Sequence, residues 1–318
     1  MSLTTILLQQ TINGLSLGAM YALLALGFTL VYGILELINF SHFNVFMFGS
    51  FIGMFVLQAL GVQGQATVLH GLPLVGALVL ALVTVMLACG TLGVVIERLA
   101  LRPLRNVKGP AAMITTIGVS YIIYNVVLLA FGAESKNYPN PMPPVAVDVG
   151  GATLRLREVL IWVIALVLMV ALWVFVQRSR MGKAMRATAQ DAEAARMMGV
   201  EVDRVIVAAF FIGSALAGAG ALIFGIYYNF TNYNIGFIAG LRAFTAAVLG
   251  GIGNVPGAMV GGVLIGLIEA IVSGGLLEVV VGPFASAAWA DVWIFSILVL
   301  VLVFRPAGLF GRMAPTKS

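Results

Sequence analysis

The stretch Arg178–Arg204, RSRMGKAMRATAQDAEAARMMGVEVDR, carries ten of the chain's 29 charged residues (17 basic, 12 acidic) yet lies between two long apolar runs. A bilayer core takes roughly 20 consecutive apolar helical residues. The island therefore separates membrane helices and is presented to something outside the bilayer. Composition agrees. Of 318 residues, 61% are hydrophobic and 9% charged, where a soluble domain carries about 25% charge. Mean hydropathy is +1.09. The chain is an integral membrane protein. Its 37 glycines suit helices that approach closely in lipid.

Working outward, apolar spans are expected at 6–34, 43–61, 71–97, 110–132, 159–177, 205–229 and 288–304. The run 240–276 is too long for one span. It is broken at Gly250-Gly251-Ile252-Gly253-Asn254-Val255-Pro256-Gly257, which cannot stay regular helix. A short helix, a turn and a full span are expected there. The fold class is thus an all-α polytopic bundle of eight or nine transmembrane helices with broken helices, a single membrane domain over 1–318. Leu35–Asn44 is a loop or unwound backbone inside the membrane. Thirteen of the 17 basic residues fall in three places: Arg98–Lys108, Arg178–Arg204, and the C-terminal Arg305, Arg312 and Lys317. The positive-inside bias puts these, and the C-terminus, on the cytoplasmic side. The proline-rich 133–158 segment is then external, and nine crossings place the N-terminus outside. The lone Cys89 can form no internal disulfide. His42 and His70 lie in different segments, and no phosphate-binding loop or nucleic-acid signature is present.

Within the island, Thr188-x-x-Asp191 resembles a capping box, with a helix from Ala189 to Met198 and Gly199 ending it in a left-handed conformation. Ala192, Ala195 and Gly199 share one small face, surrounded by Arg186, Asp191, Glu193 and Arg196. Such a helix fits a partner's groove; the alternative is a solvated loop. Polar groups at membrane depth usually face the protein interior or a wet path. Candidates are Asn13, Asn39, Ser41, His42, Thr115, Thr116, Asn125 and Glu269. Glu269 must be protonated, paired or wet. Its alternative role is helix packing. The four-residue glycine pairs Gly14/Gly18, Gly49/Gly53, Gly257/Gly261 and Gly262/Gly266 are expected to pack helices within the chain.

Glu193-Ala194-Ala195-x-x-x-Gly199 resembles the cytoplasmic loop motif of ABC importer permeases. The later I-x-L-P element is absent: the chain reads Phe210-Phe211-Ile212-Gly213. Further motifs narrow the resemblance. They are Asn13–Leu23, Tyr32-Gly33, Ile38-Asn39-Phe40-Ser41-His42, Arg102-Pro103-Leu104-Arg105, Thr115-Thr116-Ile117-Gly118, Leu249–Gly257 and Arg305-Pro306-Ala307-Gly308-Leu309-Phe310-Gly311. In order and spacing they are similar to the H-type permeases of branched-chain amino acid importers over almost the whole chain. Phe43-Asn44 stands where that family suggests a small residue and an acid, and 133–158 shows little likeness.

The resemblance implies an inner-membrane transport subunit, not an enzyme. Its partners would be two ABC ATPases, which hold the ATP and Mg²⁺, a second related permease in a heterodimer, and a periplasmic binding protein that delivers substrate. This chain itself would hold no cofactor. The loop 178–204 would couple to the ATPases through Arg186, Asp191, Glu193, Ala194, Ala195, Arg196 and Gly199. Asn39, Ser41, His42, Thr115, Thr116, Asn125 and Glu269 are candidates to line the path. Urea or short amides remain alternative substrates. An ion-coupled carrier or a passive channel remains an alternative mechanism.

Overall fold

A 33-residue helix, α1 (Leu3–Leu35), runs through the middle of the molecule and is buried at nearly every position from Ile12 to Val31. At about 1.5 Å per residue it is about 50 Å long, more than a bilayer core needs. The computed structural model describes residues 3–64, 67–105, 107, 110–275, 282 and 286–311. Lys108, Arg312 and Lys317, counted above among the basic clusters, lie outside the described residues.

The other helices are α2 (Ser41–Ala59), α3 (Gly71–Ile96), α4 (Ala111–Phe131), α5 (Leu156–Arg178), α6 (Arg180–Gln190), α7 (Ala192–Met197), α8 (Val202–Tyr228), α9 (Ile235–Gly250), α10 (Val255–Ser273) and α11 (Ala290–Phe304); α5, α6, α8, α9 and α10 pack directly on α1. Eight helices among the described residues are long and apolar enough to cross a membrane, and α9 is a shorter apolar helix. The core sits where α1, α2, α8, α9 and α10 meet. The outer faces of α3, α4, α5 and α11 expose large apolar side chains such as Leu80, Leu129, Val167 and Val303, as a lipid-facing surface does.

The expected glycine pairs bring the core helices together. A Cβ on Gly18 would lie 2.7 Å from Val263 Cα, and one on Gly14 would lie 2.8 Å from Leu267 Cα. Gly262 and Gly266 face Ala22 and Gly18 from the other side, while Gly257 and Gly261 face Gly250 and Ala246. Gly49 packs on Cys89 and Gly218, and Gly53 on Tyr138. All four pairs thus pack within the chain.

The breaks are built from local chemistry. α1 ends at Glu36, which takes a positive φ of 52°. The break that follows is shorter than expected, since Ser41, His42 and Asn44 already belong to α2. Between α9 and α10, Gly251 (φ 101°) and Gly253 (φ 87°) turn the chain, and Asn254 accepts a hydrogen bond from Gly257 N at 3.1 Å to start α10. A second break is not foreseen. After Asn229 ends α8 in the left-handed region, Asn229–Asn234 leaves helix. Strand β4 (Phe230–Thr231) pairs antiparallel with β1 (Lys136–Asn137), and Thr231 meets Ser50 of α2 at 2.8 Å.

The two ends of the bundle differ. At one, Gln9 of α1 accepts from Thr153 N at 2.8 Å. This sets the start of α1 beside the hairpin of β2 (Ala146–Val149) and β3 (Ala152–Arg155). The start of α1 and the 133–158 segment therefore share an end, as nine crossings require. The island lies near the other end of α1: Thr29, Leu30, Gly33, Met185, Arg186, Ala189 and Gly253 surround a small cavity of about 70 Å³.

Candidate functional site

The island forms two helices joined at Asp191. Ser179 starts α6 by accepting from Gly182 N at 2.8 Å. Thr188 is not a cap. It sits inside α6, and its hydroxyl donates to Ala184 O at 2.9 Å. Asp191 itself caps α7, its carboxylate accepting from Glu193 N at 2.9 Å and Ala194 N at 3.0 Å. The expected helix Ala189–Met198 is therefore broken by the extended Asp191 (φ −159°), because a short carboxylate satisfies two orphan N–H groups better than a hydroxyl already engaged one turn back. Gly199 does take the left-handed region, with φ 84°.

The alanines of the small face point inward, while Gly199 is exposed. Ala195 is buried, and Ala192 and Ala194 are half-buried. What the platform presents is Met197 and Met198, 83% and 85% exposed, flanked by exposed Asp191, Glu193, Arg196 and Gly199. Arg186 is directed back into the protein and donates to Val176 O at the end of α5. Gly182 is needed there, since a Cβ would strike the carbonyls of Phe175 and Val176.

Three structural elements converge on this end. Beyond α3 the chain widens into a π turn (Glu97–Leu101) and then tightens into a 3₁₀ turn (Arg102–Leu104). Buried Glu97 pairs there with Arg105 and, at 3.7 Å, with Arg102. Arg105 also donates to Asp203 at the start of α8, at 2.6 Å. The α3 end is thus ion-paired to the α8 start. The two glycine-rich motifs also meet. Leu309 N donates to Leu249 O at 2.8 Å, and Asn254 Nδ2 donates to Phe310 O at 2.8 Å. α6 packs against α1 and α8 and shares a small cavity with the α9–α10 turn.

Most interior polar candidates bind the chain itself. Asn39 Oδ1 accepts from Ser41 N at 3.1 Å and Ser41 Oγ at 2.5 Å. His42 Nε2 lies 3.3 Å from Leu24 O. Thr116 accepts from Phe40 N at 3.2 Å and donates to Met113 O at 2.8 Å. This joins the two motifs that contain them. Thr115 is half-buried. Asn125 is exposed and donates to Tyr121 O at 2.8 Å. Asn13 lies near the hairpin end of α1, accepting from Gln9 and donating to Gln10.

Glu269 is likewise held by the chain itself, through a charged partner. It is 5% exposed and pairs with Arg242 of α9 at 2.5 Å. Arg242 Nε donates to Asp291 of α11 at 2.8 Å, and Nη1 donates to Tyr21 of α1 at 3.0 Å. One cluster therefore ties four helices. The signal for it was present but unused: Arg242 is the one charge in the apolar run 235–250, and Asp291 stands at the start of another. Two cavities adjoin. One, about 380 Å³, is lined by Phe40, Phe43, Asn44, Ser120, Tyr124 and Asn234 among others. The other, about 280 Å³, is lined by Tyr21, Phe224, Tyr228, Asn232, Asn234 and Arg242 among others. Asn44 enters the sequence reading only as a departure from the family pattern, and Ser120, Asn232 and Asn234 do not enter it. The 229–234 break that brings in the two latter has neither proline nor glycine to announce it.

The family model for the permease component of branched-chain amino acid transport systems matches residues 10–302. The high-affinity branched-chain amino acid transport system permease protein LivH of Escherichia coli K12 is 40% identical over 312 residues, 96% of each chain. BraD, the corresponding permease of Pseudomonas aeruginosa, is 39% identical over 309 residues, again 96% of each. The autoinducer 2 import system permease protein LsrC of Photorhabdus laumondii is 25% identical over 145 residues, 45% of this chain and 42% of that protein. No solved structure matches. A multi-pass helical bundle, matched over 96% of its length by LivH and BraD, places the chain in the branched-chain amino acid permease family of ABC importers, as a membrane-embedded transport subunit.

Proposed function

We propose that this chain moves branched-chain amino acids across the bacterial inner membrane and that α7 is the element the ATPases push. The capped α7 carries the reading: a short helix whose alanines pack inward and whose exposed tip is Met197-Met198. Methionine pairs are flexible, polarizable knobs suited to a partner's groove. The substrate class is supported by the printed function of relatives 40% and 39% identical.

In this reading two ATPases bind ATP and Mg²⁺, and a second permease completes a heterodimer. A periplasmic binding protein delivers substrate to the hairpin end. The C-terminus and the island are cytoplasmic. ATP-driven closure displaces α6–α7, and α1, α8 and the α9–α10 turn follow. Coupling then needs one bistable arrangement that both the nucleotide and the substrate bias. The paired state of Glu269 favours this over an ion-coupled carrier, because a carboxylate held by Arg242 and Tyr21 is committed to a fixed ion pair.

Mild-detergent purification from the native membrane, followed by mass spectrometry, tests the assembly. Co-purification of a P-loop ATPase and a second apolar permease is expected. A stable complex of this chain alone would overturn the reading.

A further inference from the structure

The outer wall between α3 and α8 is grooved at the end of the bundle that carries the island. The groove measures about 420 Å³, and Arg98, Arg102, Asp203 and Arg204 line its mouth. Its floor is apolar, built from Val94 of α3 and from Val207, Ala208, Phe211 and Ile212 of α8. From Arg204 to Phe211 a helix rises about 10 Å, so the floor runs from the charged mouth toward the middle of the bundle. Val95 and Leu99, neighbours of Arg98 in the chain, are exposed, so the mouth opens where the apolar wall meets the charged end. The charges do not balance. Arg102 lies 3.7 Å from Glu97 and 3.6 Å from Asp203. Arg105 pairs with the same two acids, and Arg204 pairs with Glu201 at 2.6 Å. The π turn buries Glu97 and leaves Arg98 exposed. Among the described residues Arg98 makes no ion pair or hydrogen bond, so four guanidiniums meet three carboxylates.

We propose that this groove holds an anionic phospholipid, its phosphodiester against Arg98 and Arg204 and one acyl chain along Val94, Phe211 and Ile212. A guanidinium takes a phosphate in a planar, charge-assisted contact. Basic pockets between membrane helices suit such head groups. The one surplus positive charge matches a lipid with one net negative charge. A zwitterionic lipid brings an ammonium that the arginines repel. An acidic loop of a protein partner would match the mouth and leave the apolar floor uncovered, whereas a lipid matches both. The bound lipid bridges the end of α3 to the start of α8, beside the Arg105–Asp203 pair. The inference stands apart from the identity of the transported substrate.

The test uses the complete transporter in phosphatidylcholine nanodiscs, with its other reactive cysteines replaced and a bimane fluorophore on Leu99→Cys. Leu99 is 76% exposed and does not line the groove. Cys89 is buried and stays unreactive. Phosphatidylglycerol or phosphatidylcholine with a nitroxide near the top of one acyl chain is titrated in, and quenching gives their relative affinity. Phosphatidylglycerol should be preferred about fivefold, the effect of one basic residue on an anionic lipid. Arg98→Gln removes the surplus charge and should bring the two lipids to parity. Arg178→Gln, an exposed arginine outside the groove, should leave the preference unchanged. Soluble glycerol phosphate, which has no chain for the floor, should not relieve the quenching. Equal quenching by both lipids in the unaltered groove overturns the site, and so does an equal loss with Arg178→Gln, which marks a general surface attraction. Relief by glycerol phosphate assigns the mouth to a soluble phosphate instead. Co-purification of the ATPases is followed in parallel and should be the same with and without Arg98→Gln. Their loss at an unchanged lipid preference makes the groove a protein contact and refutes the lipid.

Discussion

Arg242→Gln and Glu269→Gln remove opposite ends of the same 2.5 Å ion pair, yet they should not cost the same. Without Arg242, Glu269 loses its countercharge while 5% exposed, and Asp291 loses its partner too. Removing one member of a buried pair costs roughly 3–5 kcal/mol. Without the Glu269 charge, Arg242 keeps Asp291 at 2.8 Å and Tyr21 at 3.0 Å. A glutamine oxygen can still accept from Nη1, so the loss is roughly 1.5–3 kcal/mol, that of a charged hydrogen bond. At about 2–4 °C per kcal/mol, Arg242→Gln should lower the detergent melting temperature on the order of 10 °C and Glu269→Gln about 5 °C. The double variant removes both buried charges, so its loss should fall below the sum of the single losses by about 1–3 kcal/mol. Thermal unfolding followed by fluorescence-detected size exclusion measures all three. Equal losses for the two single variants, or strict additivity in the double, would refute the reasoning.

Three further outcomes follow from local geometry. Gly199→Ala meets open space but must hold φ 84°, at about 1–2 kcal/mol. It should loosen α7 and lower substrate-stimulated ATP hydrolysis at unchanged membrane insertion, and Gly199→Trp should abolish the stimulation. Gly266→Leu drives a side chain into the Gly18 backbone, whereas a Cβ on Gly118 meets nothing within 4 Å; detergent-stable yield should collapse for Gly266→Leu and hold for Gly118→Ala. Tyr138 is buried in the hairpin-end segment and, among the described residues, its hydroxyl has no partner; burial pushes its phenol well above the ordinary value. It stays neutral through any working pH, and Tyr138→Phe should leave melting temperature equal or higher, since a buried unpaired hydroxyl costs about 1–3 kcal/mol.

Helix positions were legible because apolar runs of membrane length admit few other structures. The α9–α10 turn was legible because Gly250–Gly257 concentrates glycine and proline, and its partner motif Arg305–Gly311 lies against it. The glycine pairs were legible as spacing, and their partners became visible only in three dimensions. The 229–234 break was hidden. Asn229 takes its left-handed turn without glycine, and polar residues there look like an ordinary helix end. The island misled in one respect. A small-residue face could serve a partner or the chain's own packing, and Ala195 serves the latter. Arg242 escaped notice because an ion pair between α9 and α10 is a relation between two helices, and each helix shows only one lone charge.

In the proposed coupling, Met197-Met198 on α7 receives the ATPase stroke. The most direct test is Met197→Asp/Met198→Asp in the complete transporter, since both side chains are exposed and their replacement leaves the bundle packing untouched. Normal membrane insertion and normal melting temperature are expected, with the ATPases lost from the purified complex and substrate-stimulated hydrolysis abolished. Full ATPase retention with normal coupled uptake would contradict it.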